Sequence, residues 1–392
     1  MEREKIIRKL STQINSGGHI IGAAVGSGLT AKLAALGGSD ILLALSAGKY
    51  RIMGRSSFSS YFCYGNNNSQ VMELGKREIF PIVRDVPLLF GLMATDPTID
   101  LYNYLQEIKM AEFSGVVNFP TVTLIDGKFR EALEEEDTTF DREVDTIKLA
   151  NHFELFTMAF VTNEAETRQM LAASADVICV HLGLTRGGFL GAKKYISIDD
   201  AQKFAKKIFD LCKKVKPEVL RMIYAGPANT LADMKYLFQN SDCQGYIGGS
   251  TFDRIPIECG VFDTVKLFKR GSDDTVQVVS SSGKISVDFL LDYVAQHYRE
   301  KISFAKLAND ANISRAYLSQ RFKEEVGIPF SDYLLSFRLN KAKEILLREK
   351  NIPCKEIALR VGYTDYAQFT KMFKKFIGES PNDYRKNLLV SK

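Results

Sequence analysis

Two stretches near the C-terminus place hydrogen-bonding side chains at the start of a helical pattern and lysines further along. In ISRAYLSQRFKEEVG they are Arg315, Ala316, Ser319, Gln320 and Lys323. In TDYAQFTKMFKKFIG they are Tyr366, Ala367, Thr370, Lys371 and Lys374. Such a helix suits the edges of bases along its front and the phosphates of double-stranded DNA along its flank. Each stretch follows a shorter apolar pattern and a tight turn, at Asn312-Ile313 and at Val361-Gly362. Ser314 and Asp365 stand where caps belong. Leu318 and Phe322 in one copy, and Phe369, Met372, Phe373 and Phe376 in the other, form the apolar face. The duplication makes two helix-turn-helix units.

A second set of reactive side chains lies earlier, at the ends of short apolar runs. His181 can serve as a base or a ligand contact. Asp96 can hold a metal ion or a substrate hydroxyl, or cap the helix that follows Pro97. Glycine-rich turns at Gly26-Ser27-Gly28, Gly187-Gly188 and Gly248-Gly249-Ser250 leave backbone N–H groups for an anion. Arg51, Arg55 and Arg186 offer guanidinium groups to a carboxylate or phosphate. Together these point to a small anionic metabolite.

The elements that must position these residues are legible as a rhythm. Candidate strands run over His19–Val25, Ile41–Leu45, Pro87–Met93, Gly115–Phe119, Phe156–Val161, Val177–His181, Leu220–Tyr224 and Gly245–Gly248. Helical patterns alternate with them, and a polar loop is expected over Ser46–Arg55. Continuous apolar runs imply strands buried on both faces, hence a parallel sheet. Eight repeats fit a TIM-type (β/α)8 barrel, with an open doubly wound sheet as the alternative. Function then sits at the C-terminal ends of the strands. The domains expected are a barrel over 1–270, a Ser- and Gly-rich linker over 271–284, and an all-α domain over 285–392. A connecting helix near Ser331–Leu347 joins the two helix-turn-helix units. It spans roughly 25 Å, short of the roughly 34 Å between successive major grooves, so the DNA bends or one unit seats incompletely.

The formal charge is +5, unevenly placed. From Lys284 onward there are 20 Lys and Arg against 13 Asp and Glu, so the positive charge lies where the DNA-facing helices lie. No apolar run approaches membrane-spanning length, and MEREKIIRKL has no signal-peptide core. The six cysteines are scattered without a CxxC pair and read as reduced thiols of a cytoplasmic protein.

The C-terminal hundred residues resemble the AraC/XylS family of transcription regulators. The match is carried by IPFSDYLLSFRLNKAKEILL and by Gly362-Tyr363, Phe369, Phe373-Lys374-Lys375, Gly378, Ser380-Pro381 and Tyr384-Arg385. Gln368 departs from the aromatic residue usual there, with looser local packing as the expected effect. Residues 1–268 are similar to the phosphoenolpyruvate hydrolase-like TIM barrels, within the phosphoenolpyruvate mutase and isocitrate lyase type. That resemblance rests on PIVRDVPLLFGLMATDP, GVVNFPTVTLIDGKFR, HLGLTRGGFLGA and GYIGGSTFDRIPIE. It implies a ligand-binding shell of Gly28, Arg51, Asp96, Asn118, His181, Gly188 and Ser250. Tyr224-Ala225-Gly226-Pro227 replaces the family's His-Gly-Gly-Pro, Asp253-Arg254 replaces Glu-Arg, and the paired magnesium-binding aspartates are not evident. These departures favour a sensor over an enzyme and assign no metal ligand. The alternative is a lyase or hydrolase acting on a 2-oxo acid or phosphoenolpyruvate-like substrate, with His181 and Asp96 as catalytic candidates and Mg²⁺ as cofactor. Homodimerisation is implied by the resemblance.

Overall fold

A computed structural model describes residues 1–224, 226–270, 287–310, 314–348 and 352–390. The chain divides into two units, Met1–Gly271 and Ser272–Lys392. The expected linker over 271–284, the turn at Asn312-Ile313 and Ala225 lie outside the described residues.

In the first unit eight parallel strands close on themselves: Ile20–Val25 (β1), Ile41–Ala44 (β2), Leu88–Leu92 (β3), Gly115–Asn118 (β4), Phe156–Val161 (β5), Val177–His181 (β6), Leu220–Tyr224 (β7) and Gly245–Gly248 (β8). Closure is made by β1 on β8, with Ile20 opposite Gly245. Alternate residues serve two cores. Ala24, Leu43, Leu89, Val117, Met158, Cys179 and Met222 share one apolar cluster, while Ala23, Leu42, Phe90 and Val116 belong to another. This is the period of two expected when one set fills a barrel and the other packs beneath helices. The helix Arg3–Asn15 adds Ile6 and Leu10, both fully buried, to the cluster that includes Ile20 and Phe156 at the strand starts. It closes the floor, and the polar residues gather at the opposite rim.

The expected polar loop after β2 is instead a helix, Ser46–Ile52. Its polar side chains are turned inward: Ser46 and Arg51 are buried along with Ala47, Gly48 and Tyr50. A polar helix facing a polar rim lacks the apolar stripe by which a helix is read. Its seat on β1 requires two glycines. A Cβ on Gly26 would lie 2.0 Å from the Gly48 carbonyl oxygen, and one on Gly48 would lie 2.6 Å from the Gly26 Cα. A helix at Gly127–Glu135 and a 3-10 turn at Ser57–Tyr61 were also not expected.

The second unit is all-α: Val287–His297, Phe304–Asp310, Arg315–Val326, Phe330–Arg348, Cys354–Arg360, Tyr366–Ile377 and Pro381–Val390. Arg315–Val326 and Tyr366–Ile377 are the two expected reading helices. Ser314 Oγ accepts from the Tyr317 N–H at 3.2 Å, and Asp365 Oδ1 accepts from the Ala367 N–H at 2.8 Å. Both helices end at left-handed glycines, Gly327 (φ 84°) and Gly378 (φ 97°). Leu318, Phe322, Phe369 and Phe373 are fully buried, as the apolar face requires. Met372 is half-buried. Phe376, placed on that face by the sequence, is 45% exposed in the last turn. Gly362 (φ 87°) allows the second turn to approach the preceding chain, since a Cβ there would lie 2.6 Å from the Tyr298 carbonyl oxygen.

Gly26→Ala is expected to destabilise the barrel by about 3 kcal/mol or more, because backbone meets backbone and neither side has a flexible end to move. Chemical denaturation should show the barrel transition displaced and that of the helical unit unchanged.

Candidate DNA-reading face and barrel-rim cavity

On the first reading helix Arg315, Ala316, Ser319, Gln320 and Lys323 are all exposed. Gln320 Nε2 donates to Glu324 Oε1 at 2.9 Å, so its amide is oriented along the helix. On the second, Ala367, Lys371 and Lys374 are exposed. Tyr366 and Thr370 are half-buried. The Tyr366 ring leans on Phe369 with centroids 6.3 Å apart, and Thr370 Oγ1 donates back to the Tyr366 carbonyl at 2.9 Å. These two are partly committed to the fold. Tyr317 and Gln368, at equivalent positions after the two caps, are exposed and were not expected on the face. Gln368 therefore replaces an aromatic residue without opening a gap in the core.

At the barrel rim the expected shell is dispersed. Arg51 is buried, with Nε 3.0 Å from Asp253 Oδ2 and Nη2 donating to the Ala24 carbonyl at 2.7 Å. Arg186 is buried against Asp233 at 3.1 Å and the Pro227 carbonyl at 2.6 Å. Neither presents a free guanidinium to an anion. Arg55 is exposed to solvent. The glycine turns are likewise occupied from within. Glu78 Oε2 accepts from the Gly28 N–H at 3.2 Å, and Lys49 pairs with the same carboxylate. Glu258 Oε2 accepts from the Phe189 N–H at 2.8 Å, beside Gly188.

Asp96 uses both oxygens on the chain. Oδ2 accepts from Asn66 Nδ2 at 2.8 Å and Asn68 Nδ2 at 3.0 Å, while Oδ1 accepts from the Thr98 N–H at 2.9 Å and Thr98 Oγ1 at 2.6 Å. Burial alone would raise its pKa, but these hydrogen bonds together hold the carboxyl below its ordinary value. Among the described residues no three His, Cys, Asp or Glu side chains converge to hold a metal ion. With Asp96 already saturated, the residues present do not fit the divalent cation of the mutase-type barrels. Asn118 is also structural: Oδ1 accepts from the Phe160 N–H at 2.6 Å and Nδ2 donates to Glu143 Oε2 at 2.6 Å, joining β4 to β5.

His181 differs. Its Nδ1 accepts from the Gly183 N–H at 3.1 Å. Its ring stands edge-on to Tyr224 and Phe160, with centroids 4.8 and 5.4 Å away. Burial lowers its pKa to about 3, so the ring is neutral and its proton lies on Nε2. It is a donor there, not a base. His181, Ser250, Thr185, Tyr61, Phe119 and Tyr224 are among the residues lining a narrow cavity at the rim. No lining residue is charged. Arg51 stands behind this wall, with Nη1 3.5 Å from Ser57 Oγ. Of the expected shell, His181 and Ser250 are the members that line the cavity.

One wall is held by a residue the sequence did not single out. Glu143 is buried on the helix Phe140–His152, and it accepts from Asn118 Nδ2, from Thr121 Oγ1 at 2.8 Å and from the Val122 N–H at 2.8 Å. Tyr61 Oη donates to the Thr121 carbonyl at 3.0 Å, adding a second tie to the same turn.

Residues 5–270 match the sequence pattern described as phosphoenolpyruvate hydrolase-like. The chain belongs to the phosphoenolpyruvate hydrolase-like family. Residues 307–387 match a helix-turn-helix domain, here of the AraC type. The barrel of this family member is 34% identical over 269 residues to the ToMV resistance protein Tm-1(GCR237) of Solanum lycopersicum, covering 68% of this chain and 36% of that protein. The putative transcriptional regulatory protein y4pA of Sinorhizobium fredii is 36% identical over 250 residues, covering 64% of this chain and 41% of its own length. The matches thus span about two fifths or less of those relatives. Among solved structures, the C-terminal domain of AraT, a response regulator from Geobacillus stearothermophilus, is 38% identical over 26% of this chain and 84% of that one, with a TM-score of 0.25.

Glu143 makes the barrel pH-sensitive. Burial raises its pKa from 4.5 to about 7 despite three donors. Between those values the folded chain keeps a proton that the unfolded chain releases. Stability therefore falls as pH rises through this window, by up to about 1.4 kcal/mol per unit, and levels off above it. Denaturation midpoints at about pH 5, 6 and 8 should show the decline in the wild type and a flatter profile in Glu143→Gln.

Proposed function

We propose that the chain is a sequence-specific, DNA-binding transcription regulator of the AraC type, acting in the cytoplasm, whose barrel receives a small metabolite. The observation that carries this reading is the pair of capped reading helices, each with an exposed polar and cationic face opposite a buried apolar seam. The connecting helix has 19 residues and is about 28 Å long, still short of the roughly 34 Å groove spacing, so double-stranded DNA bends toward the protein or one unit seats partially.

The barrel is read as a receptor because its two catalytic candidates are committed elsewhere. Asp96 is saturated, and His181 could take up a proton on Nδ1 only by losing its hydrogen bond from the Gly183 N–H. A donor above aromatic walls suits an acceptor oxygen. A carboxylate or phosphate, the anionic metabolite indicated by the sequence, supplies one. The ligand biases DNA binding only if its affinity differs between two states of the chain. Homodimerisation is supported by apolar residues left exposed on the helices that follow the paired strands β1 and β8: Leu29, Leu33 and Leu36 on one, Val261, Val265 and Phe268 on the other.

Selection from a random duplex pool should enrich a motif with the full chain. Gln320→Ala should lose preference at one position, by about 1–3 kcal/mol, without losing overall binding. A pool that shows no enrichment sinks the reading. For the barrel, a thermal-shift screen of central-metabolism carboxylates and phosphates, each beside its uncharged amide or alcohol, identifies the ligand class. A ligand at a hundred times its Kd adds about 2.7 kcal/mol, and His181→Phe should abolish that gain.

A further inference from the structure

The two reading helices match in position but not in charge. Counted from the caps Ser314 and Asp365, Gln320 corresponds to Lys371, Lys323 to Lys374, and Glu324 to Lys375. The first helix carries Arg315, Arg321 and Lys323 together with Glu324 and Glu325. Two of its polar groups are turned onto those carboxylates: Gln320 Nε2 meets Glu324 Oε1 at 2.9 Å and Arg321 Nε meets Glu325 Oε1 at 2.9 Å. The second helix, YAQFTKMFKKFI, contains no acidic residue. Lys371, Lys374 and Lys375 are all exposed there. Lys375 Nζ lies 5.9 Å from the Phe376 ring centre, and none of the three has an ion pair among the described residues. At 100° per residue all three project from the half of the helix opposite Phe369 and Phe373. Asp365 at the helix start accepts from the Ala367 and Gln368 N–H groups, where the helix dipole offsets its charge, and Glu379, just past the closing glycine, accepts from Asn387 Nδ2 at 2.6 Å.

We infer that the two units divide the work on DNA: the second helix is the electrostatic anchor, and the first, charge-compensated on its own surface, contributes mainly base selection. This rests on the DNA-binding reading above. The physical reason is counterion release. Each lysine that neutralises a phosphate adds about 0.9 to the slope of log affinity against log salt, whereas a cation already matched by a neighbouring carboxylate adds little. To use its whole amide on a base, Gln320 must also turn away from Glu324. That step favours sequences able to accept the freed amide and discriminates against the rest.

The test uses the full chain and a mixed-sequence duplex, with anisotropy titrations across a range of NaCl concentrations. Replacing Lys371, Lys374 and Lys375 together by Gln should lower the salt slope by about 2 to 3 units. The matched Arg315→Gln, Arg321→Gln, Lys323→Gln variant should lower it by less, about one to two units, because Arg321 is matched by Glu325 and the helix also carries Glu324. Glu324→Gln with Glu325→Gln should raise the slope and tighten binding to the mixed-sequence duplex. That gain cannot come from a misfolded chain. Equal slope losses from the two triple variants, or no gain from the glutamate pair, overturn the division of labour. A wild-type chain without salt-dependent duplex binding overturns the DNA-binding reading and this inference with it.

Discussion

The barrel rim depends on a guanidinium that the fold cannot leave unpaired. Arg51 reaches from the helix after β2 across the end of β1 to Asp253 on the short helix Ser250–Asp253 after β8. Both side chains are almost wholly buried. Taking two charges out of water costs several kcal/mol per ion, so the pair is a weak source of stability. Losing one partner, by contrast, strands a buried charge at a cost of about 3–5 kcal/mol. The pair therefore acts as a specificity device. It fixes how the first, second and eighth strands meet, and with them Tyr224, Ser57 and Ser250 around the cavity.

That arrangement explains what the sequence did and did not disclose. The strands were legible because barrel strands are buried on both faces and announce themselves as unbroken apolar runs. Ser46–Ile52 was not, because a helix that buries polar groups against a polar rim carries the composition of a loop. Arg51 and Arg186 look like free cations when read locally, since Asp253 lies 202 positions from Arg51 and nothing nearby in sequence announces it. Glu143 stands in an acidic run that reads as a solvated face, and only the fold turns it inward. The exposed faces of the two helices were mostly legible, since two copies of one pattern constrain each other. Tyr366 and Thr370 fall short because a helix start must also pack and satisfy its own carbonyls.

The two units meet different electrostatic demands. The helical unit needs unpaired positive charge held outward, and its lysines stay in water where little is lost by keeping them apart. The barrel does the opposite: Arg51 and Arg186 are matched by carboxylates distant in sequence, and Arg254 by Glu258 one turn further on. Unpaired positive charge is thereby concentrated in one unit, where it attracts a polyanion at long range, while the buried cations at the rim of the other are neutralised within the chain.

The carboxylates of Glu78 and Glu258 have a further consequence. Each lies against a glycine turn and accepts a backbone N–H there, tethered to the same chain. An outside carboxylate competes with that tethered group at an effective concentration of order millimolar or higher. The two turns are satisfied from within the chain, and the rim cavity beside His181 has no charged lining residue.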